Sequence, residues 1–196
     1  MKTVFERYRP DEEIPARDCL NKRKLAKYFN REISACVVVV SHLLADEEIP
    51  AQTPFYFGKG TVEYEDFGLS SVVESCVDES GRFSQQNFVE RGMSSLSPLT
   101  QFKVLYNMPL SFIAIDRGLV GDNSIIYGSA AGLLLQAKHC DFPGRMLLGA
   151  SKVHADAVIE VGFALCERRE ITTETFMRQD CEAIELFRLW HSGSAT

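Results

Sequence analysis

The chemistry this chain offers centres on Gly128-Ser129-Ala130-Ala131-Gly132, which joins one apolar segment to another. A serine at a strand-to-helix turn sits near the helix's first free N–H groups and its positive dipole end, which favour a developing anion. It becomes a nucleophile only with a general base, normally a histidine held by a third polar group. The hydrolase elbow is G-x-S-x-G; here Gly128 adjoins Ser129 and Gly132 lies three residues on, so that spacing fails. The structural alternative for Ser129 is a helix N-cap, a place where serine is among the best residues.

Four histidines are available as bases or ligands: His42, His139, His154 and His191. His154, just past an apolar segment, is the best placed to serve Ser129. No pair has metal spacing, and no metal site is expected. The six cysteines (Cys19, Cys36, Cys76, Cys140, Cys166, Cys181) are scattered without a C-x-x-C, which reads as reduced thiols in a cytoplasm. Gly58-Lys59-Gly60 and Gly118–Gly121 are glycine turns without phosphate-loop spacing. Lys22-Arg23-Lys24 is a solvated helix start or a small basic patch for an acidic partner.

The elements that position these residues follow from periodicity. Helical spacing runs from Lys22 to Ala45, and the β-branched run Val37–Val40 is absorbed into that helix by its flanks. Thr53–Gly58 reads as a strand, with Gly58-Lys59-Gly60 as the loop after it. Weaker helical patterns cover Phe67–Val77 and Phe83–Gly92. A helix over Leu99–Arg117 contains Pro109, which should kink it. Then come a strand at Ser124–Tyr127, a buried helix at Ala130–His139, and strands at Arg145–Ala150 and Val158–Glu167. A last helix spans Thr175–Trp190, with Thr173 as its cap. Residues 1–22 are polar, with Pro10 and Pro15, and show no core-strand alternation; residues 1–21 are expected to form an extended N-terminal segment.

Strands alternating with helices predict an α/β fold with a mixed sheet. At 196 residues the chain suits one domain. A net charge of −6 argues against nucleic acid or anionic membrane as partner. The longest apolar run, Ala35–Val40, is too short to span a bilayer.

With the glycines aligned, the central stretch resembles the N-terminal half of the β-ketoacyl synthases, of the thiolase-like superfamily. Gly118-Leu119-Val120-Gly121-Asp122-Asn123 is similar to that family's G-L-x-G-P-N turn. Tyr127-Gly128-Ser129-Ala130-Ala131-Gly132 stands for its T-A-C-S-S-G box, Arg145–Ala150 for the next strand, and Glu160–Arg168 for its E-G-A-x-A-L-V-L-E-R strand. The likeness spans about residues 14–170 and is strongest over 105–170.

The resemblance implies a thiolase-like half: a mixed sheet of four to five strands with helices on both faces, over 1–196. It puts Ser129 where the family has its catalytic cysteine, and a serine there lacks a thiol's acidity. The family's two histidines belong to a C-terminal half, so no catalytic residue and no cofactor is expected. Such a chain is expected to be a chain-length factor, as in aryl polyene, polyketide or fatty acid biosynthesis. It would form a heterodimer with a complete ketosynthase, within a 3-oxoacyl-ACP synthase complex, and meet acyl carrier protein indirectly. In the family the strand before the nucleophile helix pairs across the two-fold axis. The resemblance therefore makes Met108, Ser124, Ile125, Ile126, Tyr127, Ser129 and Leu133 the interface or acyl-tunnel candidates. The other readings are a small serine acyltransferase or hydrolase using Ser129 with His154, and a structural or regulatory binding module.

Overall fold

The computed structural model describes residues 1–63, 70–95, 99, 102, 105–171 and 181–193. Two compact units are present, Met1–Tyr64 with Tyr106–Thr196, and Glu65–Leu105. The larger unit is a mixed α/β layer structure. Its strands are β1 (Lys2–Tyr8), β2 (Phe55–Val62), β3 (Asn123–Tyr127), β4 (Arg145–Val153) and β5 (Ile159–Glu167), in spatial order β1-β5-β4-β2-β3. β3, β2 and β4 run parallel, and β5 is antiparallel to both β4 and β1.

Helices cover both faces, as expected. Because side chains alternate along a strand, each buried strand feeds two cores. Phe55, Phe57, Leu147, Val161, Phe163 and Leu165 point towards α1 (Arg31–Leu43) and α2 (Met108–Arg117). Tyr56, Met146, Leu148, Ala150, Ala164 and Cys166 point towards α3 (Ala130–His139) and α4 (Ala183–Gly193). Burying one such large apolar side chain contributes about 1.5–3 kcal/mol, and a one-residue slip would turn every one outward. Glycines let the layers approach closely. A Cβ on Gly162 would lie 2.2 Å from Phe187 Cβ of α4, and one on Gly149 would lie 2.4 Å from the Phe163 ring.

Four expectations need correction. Lys2–Tyr8, polar and without core-strand alternation, is nonetheless a sheet strand: it pairs along its whole length with β5, and its cross-strand partners supply the order its own sequence lacks. β2 does not stop at Gly58; it continues through Lys59 and Gly60 to Val62, held by β4. The helix expected over Lys22–Ala45 is divided. Residues Arg23–Tyr28 form a 3-10 turn, and α1 starts after Asn30, whose side chain accepts from the Ile33 N–H at 2.8 Å. Pro109 does not kink α2, because the helix begins at Met108 and proline falls in its first turn, where no intrahelical N–H is needed. Most of residues 99–104 lie outside the described residues.

The Val37–Val40 run is helical because α1 is buried almost all round, and tertiary packing outweighs the β preference of valine. α3 runs over Ala130–His139, as its spacing predicts, and β4 and β5 are each within a few residues of expectation. The early part of the last expected helix, with Thr173, lies outside the described residues, and α4 covers the later part.

In the smaller unit, helix Ser70–Ser75 is followed by a turn in which Asp78 Oδ1 accepts from the Ser80 and Arg82 N–H groups. A helical stretch then runs Gln85–Asn87, Phe88–Gly92 (π) and Met93–Ser95, capped by Ser84. Its close point is Gly92, where a Cβ would lie 2.6 Å from the Cys76 sulfur.

Candidate functional site

The parallel strands β2, β3 and β4 point the same way, and near their carboxyl ends Lys59 is level with Tyr127 on one side and Ser151 on the other. The carboxyl ends of parallel strands are where open α/β sheets place their sites. Gly128 makes the turn from β3 to α3 with φ +73°, a conformation that glycine adopts without strain. Its N–H donates to the Lys59 carbonyl at 2.7 Å.

Ser129 is the N-cap of α3: its Oγ accepts from the Gly132 N–H at 3.0 Å. The neighbouring donor is also occupied, since the Ala130 N–H donates to the Cys181 carbonyl at 3.0 Å and Ser129 makes an isolated bridge with Glu182. The segment leading into α4 therefore sits on the turn where a reacting oxygen would need free N–H groups.

His154, the expected base, is turned to other work: its Nε2 is 2.9 Å from Glu160 Oε2. His42 pairs with Glu6 at 2.6 Å, and the His191 ring lies against Phe5. Among the described residues no histidine hydrogen-bonds Ser129, so its hydroxyl has no activating partner there.

The strand ends hold two charge clusters, one on each face. On the α1 face, Lys59 is 2% exposed and its ammonium is bonded to Glu32. Ser151 Oγ donates to Glu32 Oε1 at 2.6 Å. Cys36, one helical turn after Glu32, is fully buried beside them; burial first, then the Glu32 charge, push its thiol well above the ordinary range. Such an environment disfavours the thiolate that a nucleophilic cysteine needs. The Tyr106 ring lies 6.0 Å from the Lys59 ammonium and 5.5 Å from the Tyr127 ring.

On the α4 face a longer network is half open to solvent. Lys152 Nζ reaches Glu182 at 2.6 Å and Glu63 at 2.9 Å, and Glu182 also accepts from the Thr61 N–H at 3.1 Å. Glu160 holds both His154 and Arg188. Burial alone would raise the Glu160 and Glu182 carboxyls. The bonds from Arg188 and His154 on one, and from Lys152 and Thr61 on the other, outweigh it and hold both below the ordinary value. Among the described residues no group of three His, Cys, Asp or Glu is arranged to hold a metal ion.

The other sequence candidates are dispersed over the same region. Met108 and Leu133 are buried in this chain's own cores. Ser124 Oγ is buried without a partner among the described residues, while Ile125 packs on the α1 side of the sheet and Ile126 on the α3 side, both partly covered. Tyr127 is 56% exposed. Lys59, Glu32 and Ser151 escaped the sequence reading. A signal did exist: Phe55, Phe57 and Lys59 share one strand face at period two, which puts a lysine on the core side.

No protein-family model matches this sequence, and none of the curated proteins matches it. Among the described residues no helix is long and apolar enough to cross a membrane.

Proposed function

We propose that the chain is a non-catalytic, ketosynthase-like chain-length factor that pairs with a complete β-ketoacyl-ACP synthase and shapes its acyl tunnel. The observation that carries this reading is the place of Ser124–Tyr127. Among the described residues, the strand that the resemblance assigns to pairing is an outer strand of the sheet, β3. β3 is uncharged, with a half-buried isoleucine towards each face. An open apolar edge is a liability for a lone chain and a docking element for one that adds a partner strand. Large apolar side chains flank it: Val120 just ahead is 70% exposed, and Tyr127, Tyr106 and Leu135 are about half exposed.

In this reading the capped, occupied turn at Ser129 serves architecture, and condensation belongs to the partner's cysteine. Leu133 and Met108, inside the chain's own cores, brace the tunnel wall, and Tyr127 faces the partner. Acyl carrier protein meets the complex through the ketosynthase. The alternative, a serine acyltransferase or hydrolase using Ser129, has no observation in its favour.

The test is co-expression with a complete β-ketoacyl-ACP synthase from the same organism. A stable heterodimer is expected by size-exclusion chromatography with light scattering. Ile125→Lys on the open edge should weaken association by about 30-fold or more, the loss of one interface hot spot. A chain that stays a stable monomer in the presence of that ketosynthase overturns the proposal.

A further inference from the structure

At the far end of the sheet from β3, a cleft of about 430 Å³ is lined by Arg7, Arg9 and Val158. Arg7 lies near the end of β1 and Arg9 just beyond its last residue, Tyr8, and both contribute to the cleft wall. Both are exposed, and neither guanidinium has an ion-pair or hydrogen-bond partner among the described residues. Five other arginines there (Arg117, Arg145, Arg168, Arg169 and Arg188) do pair with carboxylates.

The local wiring keeps these two charges free. Glu160 is Arg7's cross-strand neighbour, but its carboxylate is already held by Arg188 and His154. Glu12 Oε2 accepts from the Arg9 backbone N–H at 3.2 Å and leaves the side chain alone. Arg31 spends its guanidinium on the Arg9 and Glu12 carbonyls, at 2.7 and 3.0 Å, which pins the backbone that presents Arg9. Glu6 lies on the opposite face of β1 and is engaged with His42 and Tyr8. Asp11 and Glu13, the remaining acidic groups of this segment, are exposed with no bond to either arginine. A chain of net charge −6 thus carries, at one cleft, two guanidiniums that no carboxylate among the described residues pairs with, while the nearby Asp156 carboxylate is engaged by the Val158 N–H at 3.2 Å.

We propose that this cleft binds a small organic phosphate monoester. Two guanidiniums match a phosphate dianion in charge, and each can donate a two-pronged fork to its oxygens. The volume falls in the range of small-molecule sites and exceeds what a bare phosphate fills, and Val158 supplies an apolar wall for an organic part. The inference is independent of the pairing at β3, so neither result decides the other.

The test is isothermal titration calorimetry of the whole chain with glycerol 3-phosphate, inorganic phosphate and glycerol. Glycerol 3-phosphate should bind more tightly than inorganic phosphate, glycerol should not bind, and added salt should weaken the ester. Arg7→Gln with Arg9→Gln should lower ester affinity by roughly tenfold or more, while Arg17→Gln, an exposed arginine outside the cleft, leaves it unchanged. Circular dichroism melts confirm that the variants fold; Arg7→Lys with Arg9→Lys, which keeps both charges, should lose less. No binding of the ester, tighter binding of inorganic phosphate, or undiminished binding by the double Gln variant overturns the proposal.

Discussion

The two faces of the sheet end in charge at the same level, and they handle it in opposite ways. On the α1 face one ammonium and one carboxylate, Lys59 and Glu32, are sealed from water, with Ser151 satisfying a further lone pair. On the α4 face Lys152, Glu63, Glu182, His154, Glu160 and Arg188 share charge along a chain that solvent reaches. A buried pair specifies position, because either partner alone would be an uncompensated charge in a dry core. A partly wet network trades partners cheaply and is tuned by pH and salt. The difference makes the α1 face the fixed reference of the strand ends and the α4 face the adjustable one. The turn at Ser129 lies on the adjustable side, under Glu182.

The largest effect should come from the sealed side. Glu32→Ala should destabilise the fold by about 3–5 kcal/mol, read by urea denaturation, since it strands the Lys59 charge. Glu32→Leu combined with Lys59→Met should recover most of that loss. A single variant that costs no more than a surface substitution would break the contrast between the faces.

A smaller and graded effect is expected from the wet side. Glu63, Glu160 and Glu182 are all held below the ordinary carboxylate value of 4.5. A carboxyl with a depressed folded pKa stabilises the fold fully above its unfolded value, and that contribution is lost as pH falls through the folded one. Stability should therefore decline from about pH 5 downward. Glu160→Gln should flatten the decline, because it removes one of the three groups. Lys152 has the opposite sign: burial would lower it, but Glu182 and Glu63 raise it above 10.5. Its contribution is complete below that value and fades as pH rises through the folded one. Urea midpoints across the range check both limbs, and an acid limb unchanged in Glu160→Gln would count against this assignment.

The smallest effect belongs to the turn. Ser129→Ala removes one cap bond and should cost about 1 kcal/mol without changing association with a ketosynthase. A loss of activity in the assembled complex well beyond that stability change would return Ser129 to the chemistry.

These contrasts also mark how far local sequence reasoning reaches. α3 was legible to the residue, because an apolar run, a serine cap and a glycine turn lie within one window. The buried lysine was not. Its carboxylate partner lies 27 residues away along the chain, and that carboxylate's serine donor lies 119 residues from it. Glycines on either side of Lys59 suggested a loop, whereas packing made them a strand: a Cβ on Gly60 would lie 2.9 Å from the Ser151 carbonyl. β1 likewise has no alternation of its own, and β5 alone gives it a register.

By itself the sequence determined the alternation of apolar strands and helices, the cap at Ser129 and the failure of the elbow spacing, all of which depend on neighbours a few residues apart. Tertiary structure alone decided that Lys59 is buried, that His154 serves Glu160, that Arg7 and Arg9 share a cleft, and that β3 is an outer strand among the described residues. The reason is physical: periodicity and capping are local, but the desolvation of a charge and the edge of a sheet exist only once distant strands have come together.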